Sequence, residues 1–236
     1  CLASVSRIRI SQGSYSAALG WLMAETPDLF SYEKFPSGVL DFPDASLEYF
    51  SGLFDADDQQ DLHSRLKSEL HWNQGQIKLY GKEHQIPRLE AWHGDPGARY
   101  GYSGTELEPQ PWTPVLEDIR RALSDFRSDL IFNSVLGNWY RDGEDAMGWH
   151  SDDEKELGPH PCIASLSFGH GRDIRFRHRF KKDIEAVKIH LEPGSLLLME
   201  GATQENWQHE IPRRRGKNAP GERINLTFRT IRFPRS

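Results

Sequence analysis

The run "GWHSDDE", Gly148 to Glu154, sets His150 and Asp152 two positions apart and follows them with Asp153 and Glu154. Residues i and i+2 of extended backbone leave the same face, so this histidine and this carboxylate can reach one cation together. A further nitrogen donor, His209 in "NWQHEIP", stands far downstream, just ahead of an alternating strand. A neighbouring strand of a β-sandwich would bring it back beside the first pair. Cys1 and Cys162 lie too far apart in sequence for a thiolate cluster, so a metal here is held by nitrogen and oxygen. Two histidines and one carboxylate with open positions make the facial triad that binds non-haem Fe(II) for oxygen chemistry. The same donors suit a hydrolytic Zn2+, and H-x-D alone is often only a polar turn.

A second pattern narrows that choice. In "GERINLTFRTI", Arg223, Asn225, Thr227 and Arg229 leave one face of a strand, and Ile224, Leu226 and Phe228 leave the other. Guanidiniums on an inward face need anionic partners, because an unpaired buried charge is very costly. A dicarboxylate gripped by two fork-shaped donors meets that need. Asn138 and Tyr140 in "GNWYRDG" share a face and can add neutral hydrogen bonds to the same ligand. The alternative is an exposed strand whose arginines meet solvent or surface acids. A Zn2+ hydrolase would leave Arg223 and Arg229 without a task.

The elements that carry these residues come late in the chain. From about Leu130 onward, short alternating runs such as "LIFNSVLGNWY", "PCIASLSFG", "GSLLLME" and "RINLTFRTI" are broken by Gly, Pro and Asp. Many short strands with tight turns and no helical pattern between them predict an antiparallel sandwich or jelly roll. Two helices precede it. "FDADDQQDLHSRLKSELHW" has acids first, bases later and Leu62, Leu66 and Leu70 four apart; "EPQPWTPVLEDIRRALSDF" enters a helix at Pro114 with Val115, Ile119 and Leu123 on one face. Residues 24–50 read as an irregular lead-in, and residues 1–22, ahead of Met23, as a non-native or disordered extension. The apolar run "AALGWLMA" is too short to span a bilayer, so the expectation is a soluble monomer with no membrane partner, cytoplasmic, or nuclear in a eukaryote.

The net charge of −6 argues against a bulk electrostatic grip on nucleic acid, yet acid gathers early and base late. "GRDIRFRHRFKK" carries six basic residues against one acid, with Arg175, Arg177 and Arg179 on one face and Ile174, Phe176 and Phe180 on the other. "RRRGK" adds Arg213, Arg214 and Arg215 close to His209. Two basic patches beside a candidate active site favour contact with a phosphate backbone. His160, His170 and His178 read as surface or turn residues.

The run "NSVLGNWYRDGEDAMGWHSDDEKELGPHPCIASLSFGHGRDIRFRHR", followed by "HEIPRRRGKNAPGERINLTFRTI", resembles the AlkB family of Fe(II)- and 2-oxoglutarate-dependent dioxygenases over about the last hundred residues. The resemblance implies an α+β fold, a double-stranded β-helix (jelly-roll) core with N-terminal helices, within a single domain over 23–236 whose β core spans about 130–233. It implies His150, Asp152 and His209 as Fe(II) ligands. It implies Asn138, Tyr140, Arg223 and Arg229 as 2-oxoglutarate contacts, Arg223 at the distal carboxylate and Arg229 near the chelating end, with Asn225 assisting.

"IKLYGKEHQIPRLEAWHGDPGARYGYSG" is similar to the nucleotide-recognition lid of the duplex-DNA-repair branch, and about 75–105 is expected to form it. By that likeness Tyr80, where relatives commonly carry a bulkier apolar wedge, would fill the gap left by an extruded base. Arg88, Tyr100, Tyr102, Ser103 and Glu154 would contact the base, which must be read by stacking and by its hydrogen-bonding edge. Asp153 is expected to be structural. The implied activity is oxidative dealkylation, with O2 as co-substrate, of bases such as 1-methyladenine and 3-methylcytosine in DNA. Etheno adducts are a further candidate lesion. RNA or protein as substrate, and a non-enzymatic damaged-DNA binding module, are the alternatives.

Overall fold

In a computed structural model of the chain, residues 37–79, 81–98, 100–102 and 105–232 are described; the expected extension at 1–22 lies outside them. Residues 37–50, expected to be irregular, instead form a hairpin of β1 (Gly38–Leu40) and β2 (Ser46–Phe50). The period-two signal is there: Leu47 and Tyr49 point into the core while Ser46, Glu48 and Phe50 are more open. The Pro and Asp punctuation belongs to the turn, where Asp44 has φ 57°.

Helix α1 (Ala56–Glu69) starts where Asp55 accepts from the Asp58 N–H at 2.9 Å, and it buries Leu62 and Leu66. The hairpin of β3 (Gln76–Leu79) and β4 (Lys82–Gln85) follows, then β5 (Leu89–Gly94), then a second hairpin of β6 (Tyr100–Tyr102) and β7 (Thr105–Leu107). Within the 75–105 stretch, β5 is an edge strand of the main sheet, and only the flanking hairpins form separate two-stranded sheets. Helix α2 (Pro114–Phe126) opens with Pro at its first position, as expected, and buries Val115, Ile119 and Leu123. The Glu69 carboxylate at the end of α1 accepts from the Val115 N–H at 2.9 Å, joining the two helices.

The remaining strands are β8 (Ser134–Tyr140), β9 (Met147–His150), β10 (Ile163–Gly169), β11 (Arg172–His178), β12 (Val187–Leu191), β13 (Leu196–Glu200), β14 (Trp207–Ile211) and β15 (Arg223–Arg229), with a single-turn helix α3 (Thr203–Asn206) before β14. They build the two antiparallel sheets of a jelly roll, the larger in the order β1-β2-β13-β10-β15-β8-β5 and the smaller β12-β11-β14-β9. The expected fold class is thus observed.

Ile224, Leu226 and Phe228 face the helices, in one core with Leu62, Leu66, Ile119 and Leu123. Tyr140, Ile174, Phe176, Met199 and Trp207 fill a second core between the sheets. The polar face of β15 turns toward that second core, so every residue from Arg223 to Arg229 is buried. A strand covered on both faces must have its polar side chains satisfied by neighbouring protein groups or by a ligand.

A candidate metal centre between two cavities

Strands β9 and β14 pair so that His150 and His209 stand directly opposite, their ring centroids 4.2 Å apart. Asp152 lies just past the end of β9. Its N–H donates to Gln204 Oε1 at 3.0 Å, and the neighbouring Ser151 hydroxyl donates to the Trp207 carbonyl at 2.8 Å, which ties this segment to α3 and β14. Ligand atoms of His150, Asp152 and His209 all lie within 4.8 Å of one another. The His150 Nδ1 faces the Gly148 carbonyl at 2.8 Å. A carbonyl only accepts, so Nδ1 carries the proton and Nε2 is left to bind a metal.

Electrostatics hold the cluster in the protonation states a cation needs. Burial pushes the His209 pKa down to about 3, with His150 adding to the effect, so the ring is neutral at ordinary pH. Burial works to raise the Asp152 carboxyl, but Arg229, His209 and His150 together hold it down at about 2. The strongest of these neighbours is in contact, since Arg229 Nη2 donates to Asp152 Oδ1 at 2.8 Å.

Beside the cluster, the polar faces of β8 and β15 line a cavity between the sheets. The register sets Tyr140 opposite Arg223 and Asn138 opposite Asn225. Arg223 is 0% exposed. Its Nη2 donates to the Ser167 hydroxyl at 2.9 Å, while Nε and Nη1 have no hydrogen-bond partner and no carboxylate pairs with it among the described residues. Burial lowers its pKa to about 10. A cation in that state calls for an anionic ligand. With Arg223 at one place and Arg229 beside the triad at another, the lining fits a dicarboxylate. Asn225 contributes little to such a ligand directly, because its amide donates to Ser165 Oγ and the Leu166 carbonyl, each at 2.9 Å.

A second cavity shares His150, Asp152, Leu136, Met147 and Arg229 with the first and is otherwise walled by Arg88, Glu90, Trp92, Ser151 and Glu154. Arg88 and Glu154, both expected at the substrate, are therefore brought to the triad. Glu90, Trp92 and Met147 were not foreseen. Arg88, Glu90 and Trp92 alternate along "RLEAW", a period-two signal hidden inside a stretch read as lid. Tyr100 and Tyr102 lie on β6. Tyr80 and Ser103 lie outside the described residues.

The description of the 2OG-Fe(II) oxygenase superfamily fits residues 46–229 of this chain. The mouse protein named DNA oxidative demethylase ALKBH2 is 40% identical over 191 residues, covering 77% of this chain and 79% of its own length. The chain belongs to the AlkB family of 2-oxoglutarate- and Fe(II)-dependent oxygenases. The human alpha-ketoglutarate-dependent dioxygenase alkB homolog 3 is 39% identical over 190 residues, covering 77% of this chain and 65% of the relative. A solved structure described as that of OsALKBH1 superposes with a TM-score of 0.57 over 83% of this chain and all of its own, at 19% identity, which supports the fold. Fe(II) and 2-oxoglutarate are accordingly the cofactors of this AlkB-family dioxygenase.

The basic residues of this AlkB-family chain are less free than their sequence suggests. Arg175 and Arg177 do share the open face of β11, stacked over Trp149 at 5.5 and 4.4 Å, but Arg175 pairs with Glu210 and Arg177 donates to Gln208. Arg179 lies past the end of β11 and pairs with Asp153 at 2.9 Å. Phe180 is 68% exposed rather than aligned with Ile174 and Phe176, because the strand has already ended. His178 takes the inward position instead and is 4% exposed, correcting its reading as a surface residue. Its ring packs on Trp207 at 5.1 Å, and Nδ1 accepts from the N–H groups of Phe180 and Lys181, which turn the chain. In the downstream cluster Arg214 pairs with Asp173 at 2.6 Å, Arg215 pairs with Glu144, and Arg213 is exposed.

Proposed function

We propose that this dioxygenase repairs DNA by removing alkyl groups from base nitrogens, with 1-methyladenine and 3-methylcytosine as substrates. The observation that carries the reading is that one His/Asp/His cluster forms part of the walls of two cavities, one offering an anion-seeking arginine and the other carboxylates and an aromatic ring. The mouse, bovine and human relatives named DNA oxidative demethylase supply the substrate class.

In this reading His150, Asp152 and His209 hold Fe(II). Arg223 grips the distal carboxylate of 2-oxoglutarate, helped by Tyr140 and Asn138, and Arg229 stands near its chelating end. When bound, the iron with 2-oxoglutarate and O2 supplies one oxygen atom to the alkyl carbon while 2-oxoglutarate is decarboxylated to succinate. The hydroxylated alkyl group then leaves as an aldehyde, and the bond pair returns to the base nitrogen. Arg229 keeps Asp152 anionic and the carbonyl of Gly148 orients His150, so both would offer their ligand atoms to the iron. There Trp92 provides an apolar wall and Glu154 accepts from an exocyclic amine or balances a cationic methylated base. The hairpins at 76–85 and 100–107 serve as the recognition lid, with Tyr80, Tyr100, Tyr102 and Ser103 at the base. Arg175, Arg177, Arg179 and Arg213 to Arg215 meet the phosphate backbone, exchanging their present partners for phosphate.

The test is product analysis with methylated single-stranded DNA, duplex DNA and RNA oligonucleotides in the presence of Fe(II), 2-oxoglutarate and O2. Stoichiometric succinate and formaldehyde are expected with DNA and are lost in His150→Ala combined with Asp152→Ala. Turnover that survives the double substitution would sink the metal assignment, and turnover confined to RNA would sink the substrate.

A further inference from the structure

Arg88 lines the substrate cavity and bonds a residue of the cofactor cavity. β5 and β8 pair with Glu90 opposite Asn138, and Arg88, just before β5, reaches both. Its Nε donates to Asn138 Oδ1 at 2.8 Å and its Nη2 to Glu90 Oε1 at 2.6 Å. The neighbouring Pro87 carbonyl accepts from the N–H of Ala146, the residue that leads into β9 and His150. Arg88 and Glu90 line the substrate cavity, while Asn138 lines the cofactor cavity.

Direction follows from donor chemistry. A guanidinium has donors only, so Asn138 must offer it the carbonyl oxygen, and the amide NH2 is thereby turned the other way. Its two donors become available to the 2-oxoglutarate carboxylates. Glu90 holds the outer end of the same guanidinium with a side chain that is 21% exposed at the cavity wall. A base entering that cavity excludes water from the Glu90–Arg88 pair, and a charge-assisted pair strengthens as its surroundings dry.

Resting on the functional reading above, we propose that Glu90, Arg88 and Asn138 form a relay through which a bound base tightens 2-oxoglutarate, with Arg88 as its positioning residue. Coupling of this kind is reciprocal, so cofactor also tightens DNA by the same factor. The relay favours assembly of the complete site over decarboxylation without a substrate.

Equilibrium dialysis of labelled 2-oxoglutarate into the Mn(II)-loaded protein, with and without a 1-methyladenine oligonucleotide, reads the coupling without turnover. The oligonucleotide is expected to tighten 2-oxoglutarate about five- to tenfold in the wild type. Glu90→Gln and Arg88→Met are each expected to bring the ratio toward one, with thermal melts confirming folded protein. Arg88→Lys discriminates a relay from a mere need for charge: an ammonium cannot reach Glu90 and Asn138 in the fork geometry, so the ratio stays near one. A wild-type ratio in Glu90→Gln, or its recovery in Arg88→Lys, would overturn the relay. A wild-type protein that binds 2-oxoglutarate but not the oligonucleotide overturns the DNA reading, and the relay with it.

Discussion

Arg223 illustrates how much a functional residue can cost the fold that holds it. It is fully buried, keeps one hydrogen bond to Ser167, and has a neighbouring cation in Arg172 that, after burial itself, helps lower its pKa. Replacing a buried cation by an apolar side chain of similar length is often neutral or stabilising. Arg223→Met is therefore expected to stabilise the cofactor-free protein by about 1–3 kcal/mol, the scale of leaving a buried polar group unsatisfied. It should also abolish saturable 2-oxoglutarate binding. Urea denaturation without cofactor and a 2-oxoglutarate titration check the two halves, and a large loss of stability would show that Arg223 is a structural residue.

At this scale the sequence was most legible where chemistry demands a residue type. A facial triad needs two histidines and a carboxylate, and an inward RxNxTxR needs an anion, so His150, Asp152, His209, Arg223 and Arg229 were all visible, and the structure brings them together. Glu90 was not, because a carboxylate at the start of a strand is also what an exposed edge looks like. His178, expected at the surface or in a turn, is instead buried on the strand, because strand parity turns this one side chain of a basic stretch inward.

Elements were legible where the local signal and the tertiary environment agree. Both helices carry a cap or a leading Pro together with an apolar stripe, and they form at the expected places. The N-terminal strands were harder. β1 and β2 are short and separated by Pro and Asp; what makes β2 a strand is pairing with β13, some 150 residues away in sequence, and β1 pairs in turn with β2. No local pattern contains that partner. β5 was hidden likewise, since its alignment with β8 is a long-range fact.

The connection after β14 is also set by a distant contact, and it places the 213–215 arginines. The Arg214 N–H donates to the Gly143 carbonyl at 2.8 Å, and a Cβ at Gly143 would overlap the Arg214 carbonyl. Only glycine allows the two backbones to approach so closely. Gly143→Ala is expected to push the basic connection away from the turn between β8 and β9, at a cost of about 1–3 kcal/mol for the forced backbone shift. Its affinity for unmodified duplex DNA should fall while Mn(II) affinity holds. A fluorescence-anisotropy titration decides the matter, and wild-type DNA affinity in a destabilised variant would separate this connection from the DNA surface.

For the whole molecule, the metal centre couples stability to pH. His209 has its pKa lowered from 6.5 to about 3 in the folded state, so the unfolded chain binds more protons between those values. Its contribution is complete above pH 6.5 and is lost as the pH falls toward 3. Asp152, lowered from 3.8 to about 2, adds a loss of the same sign in its own lower window. His63 and His93, whose pKa values burial also lowers, slope the same way.

The metal-free protein is therefore expected to lose stability steadily between pH 7.5 and 5, with His209→Asn showing a shallower but not flat dependence. A metal binds only the folded protein with these ligands deprotonated, and His209 and Asp152 stay so down to about 3 and 2, so Mn(II) should raise the denaturation midpoint at both pH values in the wild type and lose that effect in His209→Asn. Urea midpoints at both pH values, with and without Mn(II), test this for wild type and His209→Asn. An unchanged pH slope in the variant would mean that His209 titrates normally and is not held neutral by the fold. Mn(II) stabilisation retained in His209→Asn would mean that the ion binds elsewhere.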